Sequence, residues 1–260
     1  EDRGVMVVLD MKDNVLAMAN FPTYDLNAMI ESGDAAREIV MDERSLLMNY
    51  AVQTRAEPGS IFKMCTGLAA LTNGELTPTE TISDGGRFMA YTTNREEAPR
   101  CWTNNYASHK DQTIVEGLTN SCNYFFYTLG YQLHQLDNEN AKLNEVSAAM
   151  GLGEPTGVEL PENVGWRADP ESKRRQYGDT LDGGWFPGDS ILSAIGQSEN
   201  RFTPLQLCVY ACTLANKGTR MKATFLNRVV SSDYRTLILD NEPVVAGTMD
   251  NISWLTWEYI

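Results

Sequence analysis

Ser60 and Lys63 stand three residues apart in Glu57-Pro58-Gly59-Ser60-Ile61-Phe62-Lys63-Met64-Cys65-Thr66-Gly67-Leu68-Ala69-Ala70-Leu71, and Lys63 is the sole charge from Ile61 to Leu71. A helix that is apolar nearly all round is a core helix. An ammonium buried there without a partner is costly, and it tends to lose its proton instead. A lysine whose pKa burial has lowered can act as a general base. One helical turn brings the Ser60 hydroxyl beside that amine. Ser60 also falls at the helix start, whose free N–H groups and dipole favour a developing negative charge. Nucleophile, base and electropositive helix end then come from four residues. The spacing alone is common: Ser-x-x-Lys arises by chance about once in a chain of this size. A Ser60 that only caps the helix and a Lys63 that snorkels to the surface fit it equally well.

A second hydroxyl and a carboxamide lie two apart in Asn120-Ser121-Cys122-Asn123, just before the aromatic run Tyr124-Phe125-Phe126-Tyr127. In a tight loop both could face one cleft, Ser121 relaying a proton and Asn123 holding a substrate amide. Either could instead cap the helix that follows. Ser198-Glu199-Asn200 repeats the Ser-x-Asn spacing, so spacing does not choose between the two. Five cysteines with no Cys-x-x-Cys pair, and only His109 and His134 to help, make a poor disulfide framework and a poor zinc site. Cys208 and Cys212 can meet on one helix face, where they read as buried thiols. No metal ligand set and no cofactor site follow from the sequence.

The elements that must position these residues begin with Val5 to Asp10 and Val15 to Ala19, two apolar runs around a polar turn in which Asn14 is the expected left-handed residue. Residues 25–58 look irregular, with one short helix. A compact helix runs from Ser60 to about Asn73 and closes at Gly74. Residues 77–112 read as a long surface excursion. Helices follow at 113–119, from about 123 to 136, and at 140–151, and 166–190 reads as loop. Thr203-Pro204-Leu205-Gln206 opens a helix with a capping residue, an N1 proline and a capping-box glutamine. Leu207, Tyr210, Ala211 and Leu214 are its expected buried stripe, and Gly218 its stop. Strand-like runs return at Leu226 to Val230 and Thr236 to Leu239. A mixed fold whose sheet pairs the two ends is the expectation.

The chain has 260 residues, 42% hydrophobic and 22% charged, enough for a substantial core. Its 35 acidic residues outnumber 21 Lys and Arg, for a net charge of −14 that repels phosphate backbones and excludes nucleic acid as a partner. It has no apolar run long enough to span a membrane, and Glu1-Asp2-Arg3-Gly4 is not a signal peptide, so an anchor would lie outside this chain.

Pro58-Gly59-Ser60-Ile61-Phe62-Lys63 resembles the nucleophile motif of penicillin-binding proteins, and Ser121-Cys122-Asn123 is similar to their second motif. Cys101-Trp102 and His109 precede Ser121 as in many members. Gly196-Gln197, Thr203-Pro204-Leu205-Gln206-Leu207 and Ala215-Asn216 match a later stretch of the family pattern. The resemblance covers roughly residues 4–220. It is closer to the monofunctional class B enzymes, and within them to elongation-type members. Three departures stand out. Ser198 replaces the usual glycine after Gly-Gln, and Lys110 the usual glycine after the histidine. The third motif, Lys-Thr/Ser-Gly on an edge strand, is absent, since Lys217-Gly218-Thr219 has the wrong order. In the family that triplet would fall beyond Ile260, so the chain reads as an incomplete transpeptidase domain, 1–260, without N-terminal anchor or C-terminal end.

The resemblance implies an α+β, DD-peptidase/β-lactamase-like fold, with an antiparallel sheet flanked by helices and an all-helical subdomain. It implies a serine DD-transpeptidase with Ser60 as nucleophile, Lys63 as base, Ser121 as proton relay and Asn123 as substrate-binding residue. Stem peptides of peptidoglycan would be the substrates, β-lactams the inhibitors, and other cell-wall synthesis proteins the partners, at the extracytoplasmic face of a bacterial membrane. No metal or cofactor is implied. A β-lactamase of this fold is the first rival. The nearest match to a deacylating Glu-x-x-Leu-Asn, from Glu139 to Leu143-Asn144, has one residue too many. A β-lactam sensor or a scaffold of a cell-wall complex is the second.

Overall fold

β1 (Gly4–Leu9) and β2 (Val15–Phe21) form the expected antiparallel hairpin. The computed structural model describes residues 3–103 and 108–260, so Glu1 and Asp2 of the N-terminal reading lie outside the described residues. The left-handed turn residue is Asp13, at φ 59°, and not Asn14. The Asp10 carboxylate accepts bonds from the Lys12 N–H, the Asn14 N–H and the Asn14 amide, which pins Asn14 in an extended conformation. From there Asn14 makes an isolated parallel bridge to Thr224.

That bridge is where the chain's two ends meet. The C-terminal strands pair among themselves: β5 (Arg220–Met221) with β8 (Val245–Gly247), and β6 (Arg228–Val230) with β7 (Leu237–Asp240). With β3 (Ile82–Ser83) and β4 (Asp111–Gln112), the described strands make four two-stranded ladders rather than one sheet spanning both ends.

Helices fill the space between. Residues 25–58 hold three of them, α1 (Leu26–Glu31), α2 (Gly33–Met41) and α3 (Tyr50–Gln53), capped by Asp25, Ser32 and Asn49. Neither α1 nor α2 buries a residue, which is why hydrophobic periodicity missed them. After a 3₁₀ turn at Gly59–Phe62 comes α4 (Lys63–Asn73), ended by left-handed Gly74. α5 (Ile114–Thr119), α6 (Asn123–Asp137) and α7 (Ala141–Ala149) fall where the sequence put them. Residues 166–190, read as loop, contain α8 (Pro170–Tyr177) and the start of α9 (Pro187–Ser193). Polar composition hid α8, although Asp169, Pro170 and Ser172 form a capping box with an N1 proline.

α10 (Pro204–Ala215) carries the predicted Thr203–Gln206 box. Its buried stripe is Leu205, Val209 and Cys212 with Tyr210, while Ala211 is exposed, because the helix packs between β1, α3 and β5. α11 (Trp254–Trp257) closes the described fold.

α4 is the axis of the core. Cys65, Leu68 and Ala69 pack with Phe62, Leu133 of α6, Leu143 and Val146 of α7, and Tyr210 of α10. On its other side Ala70 packs with Ile114, Phe125, Leu129 and Ile191. α6 can lie this close to α9 because position 130 has no side chain: a Cβ there would sit 2.5 Å from that of Ala194. Lys63 stands at the start of α4, Ser60 in the 3₁₀ turn before it, and Ser121 and Asn123 at the turn between α5 and α6.

Candidate active site

The chain enters the nucleophile turn through Gly59, at φ 59°. The Gly59 N–H donates to the Gly196 carbonyl at 2.9 Å. A Cβ on Gly196, itself at φ 76°, would lie 2.1 Å from the Gly59 oxygen, so the Gly196-Gln197 stretch serves as a backbone wall against which this turn is set. Reciprocal bonds between Ala56 and Phe202, and the stacked rings of Phe62 and Phe202, hold the same junction. Ser60 is exposed in the first turn, where backbone N–H groups have no partner within the helix.

Lys63 is 1% exposed. Its Nζ donates to the Ser121 carbonyl at 2.8 Å, the Ser121 Oγ at 3.0 Å and the Asn123 Oδ1 at 2.6 Å. The Phe126 ring lies 5.5 Å from the same nitrogen. Burial holds the amine down to about 8, against an opposing pull from the Cys101 and Cys122 thiols. Three acceptors match the three N–H bonds of an ammonium. Once the proton leaves, the amine keeps two N–H bonds and turns a lone pair toward a hydroxyl.

Ser121 sits in the left-handed region, at φ 47°, where a serine costs energy that the surrounding structure must supply. α5 ends and α6 begins on either side of it, and Cys122 is the cap of α6, its sulfur accepting the Phe125 N–H. With capping done by Cys122, Ser121 and Asn123 are free to turn to Lys63. The other Ser-x-Asn is structural: Asn200 is buried, bonded to the Ala168 N–H and to the Ser193 and Gln197 carbonyls. Lys217-Gly218-Thr219 is a helix end, with Lys217 paired to Glu258 at the surface.

Behind the Ser121 turn the structure assembles a cluster that the sequence reading, which gave no metal ligand set, did not find. Ligand atoms of Asp84, Cys101, His109 and Cys122 lie within 4.8 Å of one another. Cys101 Sγ is 3.7 Å from Cys122 Sγ and 3.5 Å from His109 Nδ1, and Asp84 Oδ2 is 3.0 Å from His109 Nδ1 and 3.7 Å from Cys122 Sγ. A tetrahedral zinc ion with ligands at about 2.0–2.3 Å requires edges of about 3.3–3.8 Å, which the three distances involving sulfur meet, while the Asp84–His109 pair at 3.0 Å would have to widen. Two sulfurs, an imidazole and a carboxylate suit that ion, and with every position filled by protein the site would be structural rather than catalytic. Asp84 comes from the excursion at 77–112, where a lone aspartate gives no sequence signal. All five cysteines are free thiols.

A buried lysine tied to a Ser-x-Asn turn, with an exposed serine three residues before it at the helix start, sits on a DD-peptidase/β-lactamase-like scaffold. The chain belongs to the penicillin-binding protein transpeptidase family: the family model for the penicillin binding protein transpeptidase domain matches residues 4–253. Among curated relatives, the peptidoglycan D,D-transpeptidase MrdA of Haemophilus influenzae is 31% identical over 220 residues, covering 83% of this chain and 32% of the relative. MrdA of Escherichia coli K12 is 28% identical over 220 residues, 83% of this chain and 33% of the relative. The chain thus spans about a third of the length of these relatives. The penicillin-binding protein PBP2 of Helicobacter pylori superposes with a TM-score of 0.78 at 24% identity, covering 99% of this chain and 44% of that one.

Proposed function

We propose that this chain carries the acylation centre of a serine D,D-transpeptidase that cross-links peptidoglycan stem peptides ending in D-Ala-D-Ala. Lys63 Nζ on Ser121 and Asn123, with the amine almost wholly buried, is the observation that carries this reading. Neutral Lys63 takes the Ser60 hydroxyl proton as Ser60 Oγ bonds to the penultimate carbonyl carbon. The Ser60 N–H, at the helix start, stabilises the oxyanion. As the C–N bond breaks, the proton moves from Lys63 through Ser121 to the departing D-Ala amine, and Asn123 holds the donor peptide amide. A second stem peptide's amine then attacks the ester, its proton returns to Ser60, and Ser60 is released. β-Lactams acylate Ser60 by the same first step.

The relatives named MrdA, and the solved complex of Helicobacter pylori PBP2 with MreC, support placing the protein in a cell-wall elongation complex at the extracytoplasmic face of a bacterial membrane. No helix among the described residues is long and apolar enough to cross a membrane. A β-lactamase reading finds no support in Glu139, which is exposed beyond the end of α6, away from Lys63.

Intact mass of the full-length protein after incubation with a penicillin tests the proposal. One adduct on Ser60 is expected, absent in Ser60→Ala and strongly slowed in Lys63→Ala; an unlabelled Ser60 overturns it. A pure sensor or scaffold would tolerate Ser60→Ala in a cell, which a transpeptidase would not.

A further inference from the structure

The nucleophile segment is not one continuous α-helix. Gly59–Phe62 winds as a 3₁₀ turn, with the Lys63 N–H on the Ser60 carbonyl, and α4 starts only at Lys63 with Phe62 in the cap position. The change of winding falls between Ser60 and Lys63. It matters because three residues of α-helix turn through about 300°, whereas three residues of 3₁₀-helix complete a full turn and place i directly above i+3. The 3₁₀ form therefore sets Ser60 in line over Lys63, while an α-turn would swing it about 60° aside.

A side chain from another helix occupies the junction. Tyr210 of α10 is 1% exposed, and its hydroxyl donates to the Ile61 carbonyl at 2.9 Å while accepting the Cys65 N–H at 3.2 Å. Ile61 and Cys65 are the two groups that would bond each other if the α-helix ran on toward Ser60. A side chain inserted in the i→i−4 ladder is one of the recognised causes of a helix break. Burial keeps the phenol protonated at any working pH, so it stays a donor to Ile61.

We propose that Tyr210 is a positioning residue for the acylation step: its hydroxyl wedges the Ile61–Cys65 ladder open and so holds the nucleophile turn in the 3₁₀ form that aligns Ser60 with Lys63. Tyr210 touches neither substrate nor either reacting atom. Its effect reaches the chemistry through backbone winding, from a helix that the motif residues themselves do not include. The inference rests on reading Ser60 as the acylated serine.

Tyr210→Phe in the full-length protein tests it, because it removes one oxygen and keeps the ring in its packing. The acylation rate constant at saturating penicillin should fall 10- to 100-fold, with the pre-acylation dissociation constant within threefold of wild type. The pH midpoint of acylation should stay unmoved, since Lys63 keeps its bonds to Ser121 and Asn123. A general loosening of the core would instead move that midpoint toward that of an exposed lysine. Thr213→Val, on the same buried helix, should lower the melting temperature without changing the rate constant. Independently of any acylation, backbone NMR shifts of Ser60 to Phe62 should move toward α-helical values in Tyr210→Phe. An acylation constant within fivefold of wild type, a moved midpoint, unmoved shifts or a variant that does not fold each overturns the assignment. Wild-type protein that takes no acyl group sinks the proposed function instead, and the NMR arm still decides the wedge.

Discussion

At Lys63 two effects compete. Burial disfavours the ammonium, and the hydrogen bonds to Ser121 and Asn123 keep it tolerable. Burial wins, holding the group at about 8 against an ordinary 10.5. The neutral base is then within reach near physiological pH, which an exposed lysine would not allow. Acylation of Ser60 should rise with pH through a midpoint near 8 and then level off, and Lys63→Ala should lose most of the rate and all of that dependence, read by stopped-flow with a chromogenic β-lactam. The same group has a signature in stability. Between about 8 and 10.5 the unfolded chain holds the proton and the folded one does not, so stability rises with pH across that window and the burial penalty is fully present below it. Urea titrations of wild type and Lys63→Met at pH 7.5 and 9.5 check the sign: the difference should shift in favour of wild type at the higher pH.

At the scale of elements, two turns make the site, and each is held from behind. The nucleophile turn leans on Gly196, whose hydrogen at the Cβ position is what lets the two backbones meet. Gly196→Ala should cost about 2–4 kcal/mol from overpacking and positive φ together, and should displace Ser60, which a thermal melt and an acylation assay would register. The α5–α6 turn leans on Asp84, Cys101, His109 and Cys122. Zinc added to metal-free protein should raise its melting temperature, and Cys122→Ser should abolish most of the gain, because it removes one of the sulfur donors. No zinc response in wild type would remove the cluster from the list of metal centres. Since Ser121 and Asn123 flank Cys122, loosening that turn should also slow acylation.

Across the whole molecule, α4 is shared by two hydrophobic clusters, whereas α1 and α2 bury nothing. Amide exchange should be slowest along α4 and α6 and near the unfolded limit in α1 and α2. Slow exchange in α1 would contradict that ordering. The short ladders and the single Asn14–Thr224 bridge leave the sheet side of the described fold with far fewer cross-links than the helical core. The sequence by itself determined the local decisions: the hairpin, α4 and its Gly74 stop, the Thr203 capping box, and the two motifs from which the family can be read. Those signals live within a few residues, as periodicity, caps and turn chemistry. Only the tertiary structure decided that Ser121 and Asn123 bond the Lys63 amine while Asn200 turns into the core, that Asp84 joins Cys101, His109 and Cys122, and that Tyr210 enters the ladder of α4. These pairings join residues 17 to 149 positions apart, and they follow from how distant segments pack together, which no local pattern encodes.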